Sequence, residues 1–149
     1  MFGPYQRPEH TYSAVIPKWI WSAIQGKPIN IEGDGTQSRD FTFVGDVVKV
    51  LIDSLEMNLG EENLINLAFG VQHNLNQVCD VIKLFFPELK INFTEARFGD
   101  IKHSLNYPAK LNRYFPKVAP HNFRVALKTT LDWLLQNQTE FNNSPSIRD

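Results

Sequence analysis

The strongest constraint on the fold is an alternation of short strand patterns with amphipathic helix patterns along most of the chain. Strand patterns, which are period-two alternations or short apolar runs, occur at 29–32, 40–44, 64–69 and 90–94. Helix patterns, with apolar residues spaced at three and four, begin near 17, 46, 75, 109 and 123. This order predicts an α/β fold with short strands and about five helices.

Residues that cap helices mark several of the predicted boundaries. Asp46 is predicted to cap the second helix, and Asn122 the last. Asn74 and Gln77 have the spacing of a capping box. One apolar stripe runs along the second helix and comprises Val47, Val48, Leu51, Ile52 and Leu55. The sequence therefore predicts one domain at 1–138, followed by a polar, frayed tail at 139–149.

Composition narrows the class of protein. The chain has 149 residues with 15 Lys and Arg against 16 Asp and Glu, a net charge of -1 that disfavours a nucleic-acid binder. The one cysteine, Cys79, allows no intramolecular disulfide and is predicted to be a core residue. The four histidines show no metal-ligand spacing, so no metal site is predicted. Without a spanning apolar run or a secretory signal, no membrane association is predicted, and the cytoplasm is the expected compartment.

Two segments carry the residues that could form a site. GDGTQSRDF places Arg39 after two glycines, and ARFGDIKHS holds Arg97 and Asp100. Each has an ordinary structural explanation: a surface turn whose Arg pairs with Asp40 or Asp46, and a strand leaving its sheet into a loop.

Taken together, the two segments favour a nucleoside-diphosphate site. Two guanidinium groups can hold diphosphate oxygens in bidentate fashion. The Asp100 carboxylate can accept hydrogen bonds from both hydroxyls of a ribose. The backbone of a short strand at 29–31 can meet the edge of a planar base.

These two segments, together with FGPYQRP, YSAVIPKWI and FRVALKTTLDWLL, resemble the C-terminal part of the NAD-dependent sugar-nucleotide epimerases and dehydratases. These are extended short-chain dehydrogenase/reductase enzymes, and the resemblance covers residues 2–135. Within the family the chain is most similar to the UDP-N-acetylglucosamine 4-epimerases of bacterial surface-polysaccharide synthesis. The resemblance implies an α/β substrate-binding portion without the N-terminal Rossmann half.

The resemblance also implies a role for each candidate residue. Arg39 and Arg97 would grip the diphosphate, and Asp100 would bind the uridine ribose. The remaining positions would contact the rest of the nucleotide sugar: Asn30, Ile31 and Glu32 along the uracil, Val15 beside the nucleotide, Gln6 near the sugar and Ser104 at the gate beside the hexose. A serine at the gate leaves room for an N-acetyl group, which favours UDP-N-acetylhexosamines as substrates.

Two elements of the family pattern do not occur in this sequence. It contains no G-x-x-G-x-x-G turn for NAD and no Tyr-x-x-x-Lys pair. No catalytic, cofactor-binding or metal-binding residue is therefore assigned. The chain is expected to be a fragment that binds UDP-sugar but is inactive alone, and a complementary N-terminal Rossmann half is a possible partner.

Two alternatives stay open at this point. The parent enzyme could be a sugar-nucleotide 4,6-dehydratase or act on UDP-glucuronate, because the residues that decide between these reactions lie largely in the other half. The chain could also be a non-catalytic remnant or an interaction module.

Overall fold

The computed structural model describes residues 1–9, 13–57 and 64–143. The helices within these ranges are α1 (Val15–Ile24), α2 (Val44–Glu56), α3 (Leu75–Lys83), α4 (Ala109–Tyr114), α5 (Phe123–Gln136) and α6 (Gln138–Asn143). The strands are β1 (Ile29–Glu32), β2 (Ser38–Asp40), β3 (Gln72–Asn74) and β4 (Ile91–Thr94). The predicted mixed α/β class is confirmed.

The larger hydrophobic cluster holds β1 against three helices. β1 pairs with β4 in parallel, with Ile29 opposite Ile91 and Glu32 opposite Thr94. Because side chains alternate along a strand, Ile29 and Ile31 are fully buried while their neighbours face solvent. Helices α1, α3 and α5 contact one another around this strand. Cys79 of α3 lies in the cluster, and burial raises the pKa of its thiol to about 11.

The predicted strand at 40–44 is displaced. β2 ends at Asp40 and pairs antiparallel with β3, a strand that the sequence did not predict. Phe43 and Phe2 instead form an isolated bridge, in which Phe2 N–H donates to Thr42 C=O at 2.9 Å. The alternating aromatic residues after β2 thus pack their rings in the core and do not continue the pairing of β2 with a neighbouring strand. Helix α2 begins at Val44.

The predicted role of Asp46 is wrong. The N-cap of α2 is Phe43, and no side chain caps the helix. Asp46 is buried, with its carboxylate paired to the ring of His121 and accepting the His121 backbone N–H at 3.2 Å. A buried carboxylate needs such partners. Its side chain therefore joins α2 to the start of α5.

The predicted strand at 64–69 is also wrong, because this segment has no strand conformation. Among the described residues the strands pair only as β1 with β4 and β2 with β3, so this run has no neighbouring strand. Side chains satisfy two of its carbonyls: Asn106 donates to Ala68 C=O at 3.1 Å and Lys110 to Leu64 C=O at 3.0 Å. Its apolar residues cover a smaller cluster containing Val50, Leu111 and Phe115.

Several boundaries agree with the sequence, and one end does not. The Asn74–Gln77 capping box and the Asn122 cap are confirmed. The tail predicted to fray from residue 139 forms part of α6 up to residue 143, because Phe141 is buried with its ring 5.5 Å from those of Trp21 and Trp133. Residues 144–149 lie outside the described residues. No helix in the described ranges combines the length and hydrophobicity needed to cross a membrane.

Candidate functional site

One wall of the site is the glycine turn that follows β1. Gly33 and Gly35 have φ of +82° and +75°, a region that favours glycine. A Cβ on Gly35 would also lie 2.2 Å from the side chain of Asn76. Asn76 donates to Asp34 C=O at 3.1 Å, and its N–H donates to Gly35 C=O at 3.2 Å. The first turn of α3 therefore fixes the shape of this wall.

Arg39 and Asp100, 61 positions apart in the sequence, meet in an ion pair. The Arg39 Nη2 atom lies 3.0 Å from Asp100 Oδ1, and Arg39 Nη1 donates to Ser38 C=O at 2.9 Å. Both side chains are partly exposed, at 30% and 41%. An ion pair open to water to this extent contributes little to stability. It can therefore open to admit an anionic ligand without unfolding the protein.

A cleft of about 410 Å³ lies beside this ion pair. Its lining includes Glu32, Asp34, Arg97, Asp100 and Lys102. The Thr36 hydroxyl donates to Asp34 at 2.6 Å and lowers the pKa of that carboxyl. The cleft thus joins carboxylates from the glycine turn to cations from the loop at 96–104, the chemistry needed to bind hydroxyls together with phosphates.

A smaller cleft of about 230 Å³ brings three more predicted residues together. Val15, Arg39 and Ser104 all contribute to its lining. The Ser104 N–H donates to Ser38 C=O at 3.0 Å, which holds the end of the loop against β2. Because Arg39 lines this cleft and contacts Asp100 in the larger one, the two clefts adjoin at the ion pair.

The three residues predicted beside the uracil differ in what they can offer. Ile29 and Gly33 donate their N–H groups towards β4, so by alternation the backbone groups of Asn30 and Glu32 face the opposite edge. The Ile31 side chain is fully buried, and by the same alternation its backbone groups face β4, where the Thr94 hydroxyl also donates to Ile31 C=O at 3.3 Å. The Asn30 side chain accepts a hydrogen bond from Asn92 at 3.2 Å.

Gln6, like Asn30 and Ile31, is a predicted residue that lines neither cleft. Its side-chain Nε2 lies 3.4 Å from Met1 C=O, and its Oε1 is buried without a hydrogen-bond partner among the described residues. The preceding Tyr5 has φ of +68° and an exposed ring 5.4 Å from that of Trp133. Near Gln6 in the sequence, Met1 and Phe2 line the smaller cleft. The role of Gln6, like that of the other predicted site residues, stays a prediction.

Sequence reasoning missed two contributors. Lys102 adds a cation to the larger cleft, and it belongs to the segment ARFGDIKHS that also contains Arg97 and Asp100. Ser38 and His103 form a hydrogen bond of 2.8 Å that ties the loop to β2, and the Ser38 N–H donates to Lys102 C=O. No spacing rule indicates the Ser38–His103 bond, because 65 residues separate the two.

Comparisons with known proteins agree with this fold. Residues 1–68 match the model of the NAD dependent epimerase/dehydratase family. A UDP-glucuronate 4-epimerase from Thermodesulfobacterium geofontis is 32% identical over 142 residues, covering 92% of this chain and 41% of that protein. A dTDP-glucose 4,6-dehydratase from Neisseria meningitidis is 28% identical over 160 residues, covering 95% of this chain and 42% of that protein.

A solved structure gives the same result. The UDP-N-acetylglucosamine 4-epimerase of Methanobrevibacter ruminantium, in complex with UDP-N-acetylmuramic acid, superposes with a TM-score of 0.83 at 34% identity, covering 91% of this chain and 44% of that one. The chain belongs to the NAD-dependent epimerase/dehydratase family and has the fold of the C-terminal portion of its members. It spans less than half the length of these relatives.

Proposed function

We propose that this chain is the nucleotide-sugar-binding part of a cytoplasmic UDP-sugar 4-epimerase. Its substrate would be UDP-N-acetylglucosamine, interconverted with UDP-N-acetylgalactosamine for surface polysaccharide. The observation that carries the proposal is the contact between Arg39 and Asp100 at the point where two clefts adjoin. The similarity to a UDP-N-acetylglucosamine 4-epimerase supports the choice of substrate.

Each cleft would bind one part of the ligand. Arg97 and Lys102 bring positive charge to the larger cleft, where Arg39 can exchange its bond to Asp100 for a phosphate oxygen. The freed Asp100 carboxylate can then accept hydrogen bonds from ribose hydroxyls. The sugar would extend into the smaller cleft, where Ser104 leaves space for an N-acetyl group.

The chemical step would need groups from outside this sequence. The sequence contains neither a glycine-rich dinucleotide turn nor a Tyr-x-x-x-Lys pair, so no residue of this chain is assigned to NAD or to proton transfer. When bound, NAD would supply hydride transfer at the sugar. The role of this chain would be to bind and orient the UDP-sugar against a complementary Rossmann half.

Titration calorimetry with UDP tests the binding role. Arg97→Ala removes charge-assisted hydrogen bonds to phosphate, which is expected to weaken UDP binding about tenfold or more. The matched control is Arg113→Ala, because Arg113 of α4 lines neither cleft and its guanidinium lies over the ring of Tyr114. Failure of the unmodified chain to bind UDP at millimolar concentration would contradict the proposal and favour a non-catalytic remnant.

The gate position tests the proposed substrate. Ser104→Tyr should fill the smaller cleft and weaken binding of UDP-N-acetylglucosamine while leaving binding of UDP itself unchanged. If binding of UDP and binding of UDP-N-acetylglucosamine were weakened equally, the substitution would disturb the nucleotide site instead.

A second candidate function is the nucleotide-binding part of a 4,6-dehydratase. The similarity to a dTDP-glucose 4,6-dehydratase supports it. Titrating the unmodified chain with dTDP-glucose and with UDP-N-acetylglucosamine compares the two candidates directly. Tighter binding of dTDP-glucose would favour the dehydratase over the 4-epimerase.

A further inference from the structure

A buried serine of β2 holds the exposed loop of the candidate site. Ser38 is 6% exposed and lies opposite Asn74 of β3. Its N–H donates to Lys102 C=O at 2.8 Å, and its C=O accepts the Ser104 N–H at 3.0 Å. Between these two bonds, the Ser38 hydroxyl and His103 Nδ1 form a hydrogen bond of 2.8 Å. These three hydrogen bonds, which we name the Ser38 anchor, fasten consecutive loop residues to a paired strand.

The side-chain bond is the part of the Ser38 anchor that depends on residue identity. Any residue except proline can form the two backbone bonds, whereas the bond to the Ser38 hydroxyl needs a polar atom at the position of His103 Nδ1. A buried hydroxyl without a hydrogen-bond partner is costly. Ser38 therefore favours the loop conformation in which the ring of His103, itself an exposed residue, reaches the hydroxyl.

The Ser38 anchor lies between the groups that are proposed to bind the two parts of the ligand. On one side, Asp100 pairs with Arg39 Nη2 at 3.0 Å beside the larger cleft. On the other side, Ser104 lines the smaller cleft. Arg39 Nη1 donates to the same Ser38 C=O that accepts the Ser104 N–H. A shift of the loop relative to β2 would therefore move Asp100 and Ser104 away from Arg39 together.

We propose that His103 is a positioning residue for the UDP-sugar and acts through its bond to Ser38. This inference rests on the proposed function. His103 lines neither cleft, so its effect on binding is assigned to the loop it holds and not to contact with the ligand. A loop already held in its binding conformation loses less conformational entropy when the ligand binds. If the loop is in place for only part of the time, the apparent affinity falls by that fraction.

A double-mutant cycle on UDP affinity, measured by titration calorimetry, tests this role. His103→Ala and Ser38→Ala should each weaken binding about fivefold, the effect of one hydrogen bond, and the double variant should be no weaker. His103→Asn should restore affinity, because its amide presents a polar atom at the position of Nδ1. The matched control is Ile101→Ala, which changes an exposed side chain of the same loop that lines neither cleft. Far-ultraviolet circular dichroism checks that each variant is folded.

Amide hydrogen exchange of the free chain is a second readout that needs no ligand. The Ser38 and Ser104 amides donate the backbone bonds of the Ser38 anchor and should exchange about fivefold faster in His103→Ala, but at the original rate in His103→Asn. Equal UDP affinity of the unmodified chain and His103→Ala would overturn the positioning role and leave the proposed function in place. Absence of UDP binding by the unmodified chain would contradict the proposed function. Exchange alone then decides whether His103 holds the loop, and an unchanged rate in His103→Ala would refute it.

Discussion

The two sides of the candidate site are built in different ways. β1 belongs to the core, with Ile29 and Ile31 fully buried, and the β2 residue before Arg39, Ser38, is 6% exposed. The facing loop is exposed at every residue from Phe98 to Leu105, and the Phe98 ring is wholly in solvent. Arg39 thus follows a buried residue, whereas Arg97 and Asp100 lie on an exposed loop that hydrogen bonds from Lys102, His103 and Ser104 to Ser38 anchor at one end.

Because of this difference, we expect the β1 side to determine the stability of the fold and the loop to determine ligand affinity. Segments with little burial open at low free-energy cost, and ligand-binding loops are commonly of this kind. Substitutions on the β1 side should therefore change the free energy of unfolding, whereas those on the loop should change ligand affinity and leave stability intact.

The largest expected effect is on the free energy of unfolding, when an isoleucine on the β1 side of the site is replaced by alanine and compared with the same replacement on the loop. Ile31→Ala should lower the free energy of unfolding by about 2–5 kcal/mol, because it leaves a cavity beneath β1. Ile101→Ala removes the same atoms from a loop residue that is 64% exposed and should change stability by less than about 0.5 kcal/mol. Urea titrations measure both, and equal losses would remove the distinction between the two sides.

A smaller effect is expected at the start of α3, which holds the glycine turn. Asn74→Ala removes the side chain that accepts the Gln77 N–H at 2.8 Å and should cost about 1 kcal/mol of stability. Asn112→Ala, on the exposed surface of α4, is the control and should have little effect. Thermal unfolding distinguishes the two variants, and an unchanged midpoint for Asn74→Ala would argue against the cap.

The smallest effect is a pH dependence at His73, which pairs with Arg39 across β2 and β3. Burial lowers the pKa of His73, outweighing the opposite effect of Asp40, and its ring stacks 3.9 Å from that of Phe123. As pH falls below about 6.5, the unfolded chain binds more protons at this residue than the folded chain does. Stability should therefore decrease.

Urea titrations at pH 7.5 and about pH 5.5 measure this loss. His73→Gln should make the loss of stability smaller, because the residue then no longer titrates. A loss that is equally large in the variant would assign the pH dependence to other groups.

Local signals in the sequence predict local structure well. The Asn74–Gln77 box, the Asn122 cap and the alternation at β1 depend on neighbours within a few residues, and all three appear as predicted. The predicted strand at 64–69 is wrong because a strand requires a partner elsewhere in the chain, which no local pattern specifies.

The same distinction applies to the site. Arg39, Arg97 and Asp100 stood out through two short motifs, and the structure brings Arg39 and Asp100 to 3.0 Å. Lys102 and the Ser38–His103 bond were missed because their significance depends on how the loop folds back onto β2.

The proposed UDP site lies where Arg39 meets Asp100. Titrating UDP into the isotope-labelled chain and following amide resonances by NMR locates the ligand directly. Saturable shifts are expected at the amides of the residues around the two clefts: Gly33, Arg39, Arg97, Asp100 and Ser104. Shifts confined instead to the cavity of about 670 Å³ that Gly26 and Phe86 help to line, or no shifts at millimolar UDP, would contradict this site.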